Sequence, residues 1–167
     1  EAEHQTMLEM MEKFGGKIST RAKPDGTQSP YEINIAWFDA MKGTANGEDK
    51  WQIERFLCSQ TIMMALEGMP AFYIQSFLAT TNDYLGLEKT GSNRSLNRYQ
   101  WNYEELEQKL NDSDSPQSLI MKEMSRRIQI RRRQPAFDPN ATQYTLHPMN
   151  NALFAFWRQS IDHDQSI

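Results

Sequence analysis

"GMPAFYIQSFLAT", residues 68–80, decides how the rest of the chain is read. It is an apolar, aromatic-rich run that opens on Gly-Met-Pro and closes on a polar loop, the pattern of a β-strand buried on both faces. Just before it, residues 50–67 carry Trp51, Ile53, Phe56, Leu57, Ile62, Met63, Met64 and Leu66 and leave only a narrow polar face. That spacing predicts a long buried helix, stopped by Gly68. A buried helix followed at once by a buried strand is the repeat unit of a parallel sheet, so the expected fold class is α/β. Residues 79–101 then form a long polar connection beyond the carboxyl end of the strand, where parallel α/β folds bind their ligands. Loops longer than about 12–15 residues in compact domains are mostly functional or disordered, which marks this one as a candidate site.

Working outward, residues 2–14 place Met7, Leu8, Met11 and Phe14 at helical spacing, and Gly15-Gly16 supplies a C-terminal stop. Lys17 to Thr20 reads as a short strand, and Lys23-Pro24-Asp25-Gly26-Thr27 as a turn. "PYEINIAWFDAM", 30–41, has a periodicity that does not separate strand from helix and is read as mostly helical. Residues 116–134 predict a helix with Pro116 near its start and Leu119, Ile120, Met124 and Ile128 on one face. Its basic end, Arg126, Arg127 and Arg131 to Arg133, suits the negative end of the helix dipole. "ATQYTLHPMNNALFAFWRQS", 141–160, changes period to two: Leu153, Ala155 and Trp157 alternate with Phe154 and Phe156 after a His-Pro-Met-Asn-Asn turn, an antiparallel hairpin. The pattern shift at Pro135 divides the chain into 1–135 and 136–167, the second part being the beginning of a β domain.

The 167 residues, 38% hydrophobic and 11% aromatic, are enough for one globular core. A net charge of -4 argues against a nucleic-acid partner, because neutralising phosphates needs a basic surface. The single cysteine, Cys58, excludes a disulfide framework and points to a reducing, cytoplasmic setting. No run approaches the roughly 18–20 apolar residues of a membrane span, and the first residues do not resemble a signal peptide, so no membrane is expected as a partner. The chain opens at Glu1 without an initiator Met and closes just after a strand-like run, so both ends read as cut from a longer polypeptide. The remainder of that polypeptide is the expected partner. There is no glycine-rich phosphate loop, His-Glu-x-x-His, cysteine pair or Gly-x-Ser-x-Gly, and His4, His147 and His163 are scattered. No metal and no organic cofactor is expected.

The polar connection contains "LEKTGSNRSLNR", 87–98, with two arginines four residues apart. Taken with "YEINIAWFDAM" (31–41) and "ALEGMPAFYIQSFLATTND" (65–83), it resembles, in the same order and at similar spacing, the late barrel region of sucrose phosphorylases and related glucoside phosphorylases. These belong to glycoside hydrolase family thirteen, the α-amylase clan. The strand pattern is generic to the clan; Asn82-Asp83, Glu88-Lys89-Thr90 and Arg94-x-x-Asn97-Arg98 together are specific. The resemblance implies the last part of a (β/α)8 barrel. Residues 1–46 would follow its seventh strand, 47–67 would be its seventh helix, 69–76 its eighth strand, 77–115 an active-site loop and 116–134 the closing helix. The family's nucleophile, acid/base and transition-state-stabilising carboxylates lie on earlier strands, so no catalytic residue is assigned here.

What the resemblance does assign is one wall of a sugar site. Arg94 matches the arginine that holds the donor glucose, a role suited to the fixed donors of a guanidinium. Tyr31 and Glu32 match a tyrosine and a neighbouring Gln or Glu facing phosphate and acceptor. Asn34, Asn82, Asp83, Glu88, Asn97 and Arg98 are supporting residues, with Arg98 expected to brace the loop. The implied substrates are an α-glucoside and inorganic phosphate, and the implied chemistry is retaining phosphorolysis through a covalent glucosyl intermediate. Ser29 stands where sucrose phosphorylases carry an acidic residue, and Glu32 where they carry glutamine. Ser-Pro-Tyr-Glu is closer to the glucosylglycerate and glucosylglycerol phosphorylases. Hydrolysis or transglucosylation within the same clan, or a non-catalytic fragment, are the competing expectations.

Overall fold

In the computed structural model, which describes residues 2–167, the first apolar stripe folds as helix α1 (Ala2–Lys13), burying Leu8 and Met11. Gly15 ends this segment at φ 91°, in the left-handed region that favours glycine; a Cβ there would fall 2.0 Å from the Tyr84 hydroxyl oxygen. Strand β1 (Lys17–Ala22) then pairs antiparallel with β2 (Gln28–Asn34), Lys17 opposite Asn34 and Ser19 opposite Glu32. Thr20 faces Pro30, which leaves Tyr31 as the extra residue of a β-bulge.

The expectation of helix over 30–41 is corrected here. Residues through Asn34 belong to β2, and only Trp37–Ala40 is helical (α2). The partner strand β1 supplies the ladder that an ambiguous periodicity could not announce, and Pro30, having no N–H to donate, sits where the bulge interrupts that ladder.

Two-residue strands β3 (Gly43–Thr44) and β4 (Gly47–Glu48) lead into helix α3 (Gln52–Ala65). Asp49 prepares this entry: its carboxylate accepts from Trp51 N–H at 2.8 Å, and its two oxygens accept from Arg55 Nη2 at 2.8 and 2.6 Å. The Arg55 bond holds the Asp49 carboxyl below its ordinary range. Phe38 and Phe56 meet edge to face at 5.7 Å, and Met11, Phe14, Ile35 and Ala40 form a buried cluster beside Met10, Ile33 and Met41.

The expected strand over 69–76 does not form. Tyr73 is extended (φ -79°, ψ 127°), but the chain turns into the short helix α4 (Ile74–Phe77), and Met69 and Ile74 are 85% and 59% exposed. A parallel strand is held only by neighbours, and every ladder among the described residues is an antiparallel pair, so this segment has no strand to bond to.

Helix α5 (Tyr84–Thr90), a 3₁₀ turn (Asn93–Asn97) and helix α6 (Tyr103–Asn111) follow, then α7 (Pro116–Arg133), a second 3₁₀ turn (Pro135–Phe137), and the hairpin of β5 (Thr142–Leu146) and β6 (Ala155–Gln159). Helix α6 lies within a stretch read as loop. Its signal was present: Asn102 accepts from Glu105 N–H at 3.1 Å, the Asn-x-x-Glu pattern of a helix start. The helix over 116–134 and the antiparallel hairpin are as expected. Cys58, on α3, is exposed.

Two compact units result: Glu1–Leu57 with Phe72–Met121, and Cys58–Ala71 with Lys122–Ile167. In the second unit Arg158 of β6 is fully buried, donating to the carbonyls of Ala65, Asp138 and Ala141 at 3.1, 2.9 and 3.1 Å. Arg131 donates to the carbonyls of Met64 and Gly68. Two guanidiniums thus gather the free carbonyls where α3 ends, the negative pole of the helix. Burial, then the charge of Arg158, lowers the pKa of Arg131. Arg158→Ala in the full-length protein should cost about 2–4 kcal/mol by stranding these carbonyls, measured as a lower urea midpoint at unchanged slope.

Candidate functional site

The first unit gathers the residues that the sequence singled out. The chain from Thr80 to Trp101 is fastened at both ends. Trp101 Nε1 donates to Thr80 Oγ1 at 2.9 Å, and Gln75 Nε2 donates to the Tyr99 carbonyl at 2.6 Å. Between them Leu96, the one fully buried side chain of the stretch, pins the 3₁₀ turn, and its carbonyl accepts from Asp83 N–H at 2.7 Å. The connection is therefore a structured element, not a loose polar loop.

Asn82 and Asp83 act through the backbone. Asn82 is buried; its Oδ1 accepts from Ala36 N–H at 2.7 Å while its own N–H donates to Asp39 Oδ2 at 2.6 Å. Asp83 caps α5 by accepting from Gly86 N–H at 2.7 Å, and Gly91, in the left-handed conformation, closes that helix. These two residues fix where the turn carrying Arg94 starts.

On the hairpin, alternation along β2 puts Glu32 and Asn34 on one face, and Ser19, directly opposite Glu32, shares it. The 3₁₀ turn lies against that face. Arg94 Nε donates to Glu32 Oε2 at 2.9 Å, Asn93 Nδ2 donates to Ser19 Oγ at 3.1 Å, and Asn34 Nδ2 donates to the same Ser19 Oγ at 2.9 Å. Glu32 raises the Arg94 pKa further, first through the hydrogen bond and then through its charge. Because Glu32 engages Nε, the two Nη groups of Arg94 have no bond among the described residues, on a side chain 52% exposed. Tyr31 is 60% exposed, so it is no core aromatic: the bulge turns it outward beside the ion pair.

The remaining supporting residues divide. Asn97 contributes its carbonyl, which accepts from the Tyr73 hydroxyl at 3.3 Å. Glu88 and Arg98 are exposed, and Arg98 touches the turn through its backbone, its N–H donating to Ser95 O at 3.1 Å. Ser19 and Asn93 were missed. Short polar side chains in a strand and a turn carry no sequence signal; only the register opposite Glu32 reveals them. Among the described residues no group of three or more His, Cys, Asp or Glu side chains is placed to hold a metal.

The wall is thus a guanidinium with two open amino groups, a carboxylate that orients it and an outward phenol, a set suited to sugar hydroxyls and anionic oxygens. Glucosylglycerate phosphorylase of Escherichia coli K12 is 33% identical over 162 residues, covering 97% of this chain and 29% of that enzyme. The chain is a homologue of the glucoside phosphorylases. A second glucosylglycerate phosphorylase, from Allomeiothermus silvanus, is 36% identical over 135 residues, 80% of this chain and 24% of the relative. The crystal structure of sucrose 6F-phosphate phosphorylase from Thermoanaerobacter thermosaccharolyticum superposes with a TM-score of 0.73 at 18% identity, over 95% of this chain and 30% of that one, so the chain shares the fold of a segment of that protein. No family model matches. The chain spans less than a third of the length of these phosphorylases.

The pairing of Glu32 with Arg94 alters what that carboxylate does. Its expected place was facing phosphate and acceptor; its bond is to Arg94, which the resemblance assigns to the donor glucose. On the resemblance's assignment of Arg94 to the donor glucose, Glu32→Gln in the full-length protein should weaken glucoside binding as well as shift acceptor choice, by roughly two- to fivefold in KM as befits an exposed pair, checked by steady-state kinetics with two acceptors.

Proposed function

We propose that this chain is the late part of a glucoside phosphorylase that transfers a glucosyl unit from an α-glucoside to phosphate with retention. The observation that carries the proposal is the 2.9 Å bond between Arg94 and Glu32: two motifs 62 residues apart, which the resemblance assigns to one sugar site, meet in space. The names of the relatives, glucosylglycerate phosphorylases first among them, favour glucosylglycerate as the glucoside and glycerate as the leaving acceptor. In this reading residues 1–135 complete a (β/α)8 barrel of the glycoside hydrolase thirteen type, and 136–167 begin its C-terminal β domain. The extended Tyr73, which belongs to no sheet ladder, and the exposed Met69 and Ile74 support a strand that acquires its neighbours from the rest of the polypeptide. A cytoplasmic setting agrees with the lone thiol of Cys58.

The chemistry then divides between the parts. Carboxylates elsewhere in the polypeptide attack the anomeric carbon and protonate the departing oxygen; phosphate releases the covalent glucosyl unit. The wall built here orients rather than reacts. Arg94 offers its two Nη groups to glucose hydroxyls, Glu32 fixes the plane of that guanidinium through Nε, and Tyr31 presents an aromatic face and a hydroxyl to phosphate or acceptor.

Incubating the full-length enzyme with glucosylglycerate, glucosylglycerol and sucrose, with and without phosphate, tests the proposal. α-Glucose 1-phosphate formed only with phosphate is the expected product; glucose released at the same rate without phosphate would overturn it. Arg94→Ala should lower kcat/KM about 10- to 100-fold by removing charge-assisted bonds to the sugar. Wild-type kinetics for this variant would remove Arg94 from the site.

A further inference from the structure

We propose that Ser19 is a positioning residue of the donor subsite, the hydroxyl that keeps the Arg94 turn seated on the hairpin. The inference rests on the phosphorylase reading above, because it needs Arg94 to meet the sugar. It concerns a residue that neither the sequence motifs nor the family resemblance single out.

Two amide groups converge on one oxygen. Asn34 Nδ2 reaches Ser19 Oγ from the neighbouring strand at 2.9 Å, and Asn93 Nδ2 reaches it from the 3₁₀ turn at 3.1 Å. These bonds use both lone pairs of the hydroxyl. Asn34 is 1% exposed and also donates to the Lys17 carbonyl at 3.4 Å, so its amide is fixed to the hairpin and gives Ser19 a rigid backing. Asn93 immediately precedes Arg94. The bond to Ser19 therefore fixes the position of the turn one residue before the guanidinium, while the Glu32 bond fixes its plane. Ser19 sits opposite Glu32 and next to the bulge that turns Tyr31 outward, so one short segment of β1 sets the placement of Tyr31, Glu32 and Arg94 together.

The alternative is a purely local role for Ser19 in hairpin stability. The two differ in what they couple. A hairpin role ends at Asn34; a positioning role passes through Asn93 to the sugar. An exposed ion pair alone holds an arginine loosely, since the entropy of two long side chains offsets most of the attraction. A second bond through short, stiff side chains supplies the precision that sugar binding requires, because displacement of a binding group by about 1 Å lowers rates sharply.

The experiment uses the full-length enzyme. Ser19→Ala is expected to raise KM for the glucoside about fivefold or more with kcat within about twofold, and Ser19→Thr, which keeps a hydroxyl on a strand-compatible side chain, to restore it. Asn93→Ala should reproduce the effect, and the double variant should be no worse than either single one, the non-additivity of residues acting through one bond. Should Ser19→Ala fail to fold, Asn93→Ala carries the test alone, with Asn93→Leu, similar in size but with no polar group to bond Ser19, as its companion. Unchanged KM in a folded variant, additive effects in the double variant, or a lowered melting temperature with kinetics unaltered would each overturn the proposal. Loss of activity in Arg94→Ala with none in Ser19→Ala would refute this inference and leave the phosphorylase reading standing; a wild-type enzyme that ignores phosphate would refute the reading itself.

Discussion

Asn82 and Asp39 make the pair of bonds on which the first unit depends. The buried Asn82 amide oxygen accepts from Ala36 N–H while Asp39, also buried, accepts from Asn82 N–H. Each bond satisfies a backbone donor that would otherwise be stranded away from water, and losing a buried partner costs more than a typical hydrogen bond gains. Lys42 lies 3.3 Å from Asp39 and offsets the cost of placing that carboxylate inside. Through this exchange the long polar connection is docked onto the segment that follows the hairpin. Docked there, the 3₁₀ turn meets one face of the hairpin, that of Ser19 and Glu32.

That surface is set by strand register. Ser19, Glu32 and Asn34 share a face because opposite and alternate residues of a ladder do, and the bulge lets Tyr31 depart from the alternation without disturbing its neighbours. A one-residue slip would send Glu32 and Asn34 to the other face and separate Arg94 from its carboxylate. Hairpin geometry and guanidinium placement are thus one problem, solved by the same register.

How much was legible follows from where each signal resides. Periodicity located α1, α3 and α7 and the β5–β6 hairpin, because their apolar residues recur at spacings that neighbouring residues can fill. It misread 30–34, whose strand state comes from β1, and overlooked α6 despite its Asn-x-x-Glu start. The apolar run at 69–76 was read as a strand for a sound reason and is unpaired for an equally physical one: sheet hydrogen bonds come from other segments, and none among the described residues supplies them. Leu96 is an isolated apolar residue in a polar stretch, and its full burial anchors the turn.

The sequence by itself determined the local elements built on neighbouring residues, and through its motifs the family resemblance and the identity of Arg94, Tyr31 and Glu32 as candidates. It did so because helix periodicity, caps and turn residues act over a few positions. Only the tertiary structure decided that Glu32 orients Arg94, that Tyr31 points outward from a bulge, and that Ser19 joins Asn34 to Asn93. Those relations span 15 to 74 residues, and no local preference encodes which distant side chain a serine or a carboxylate will face.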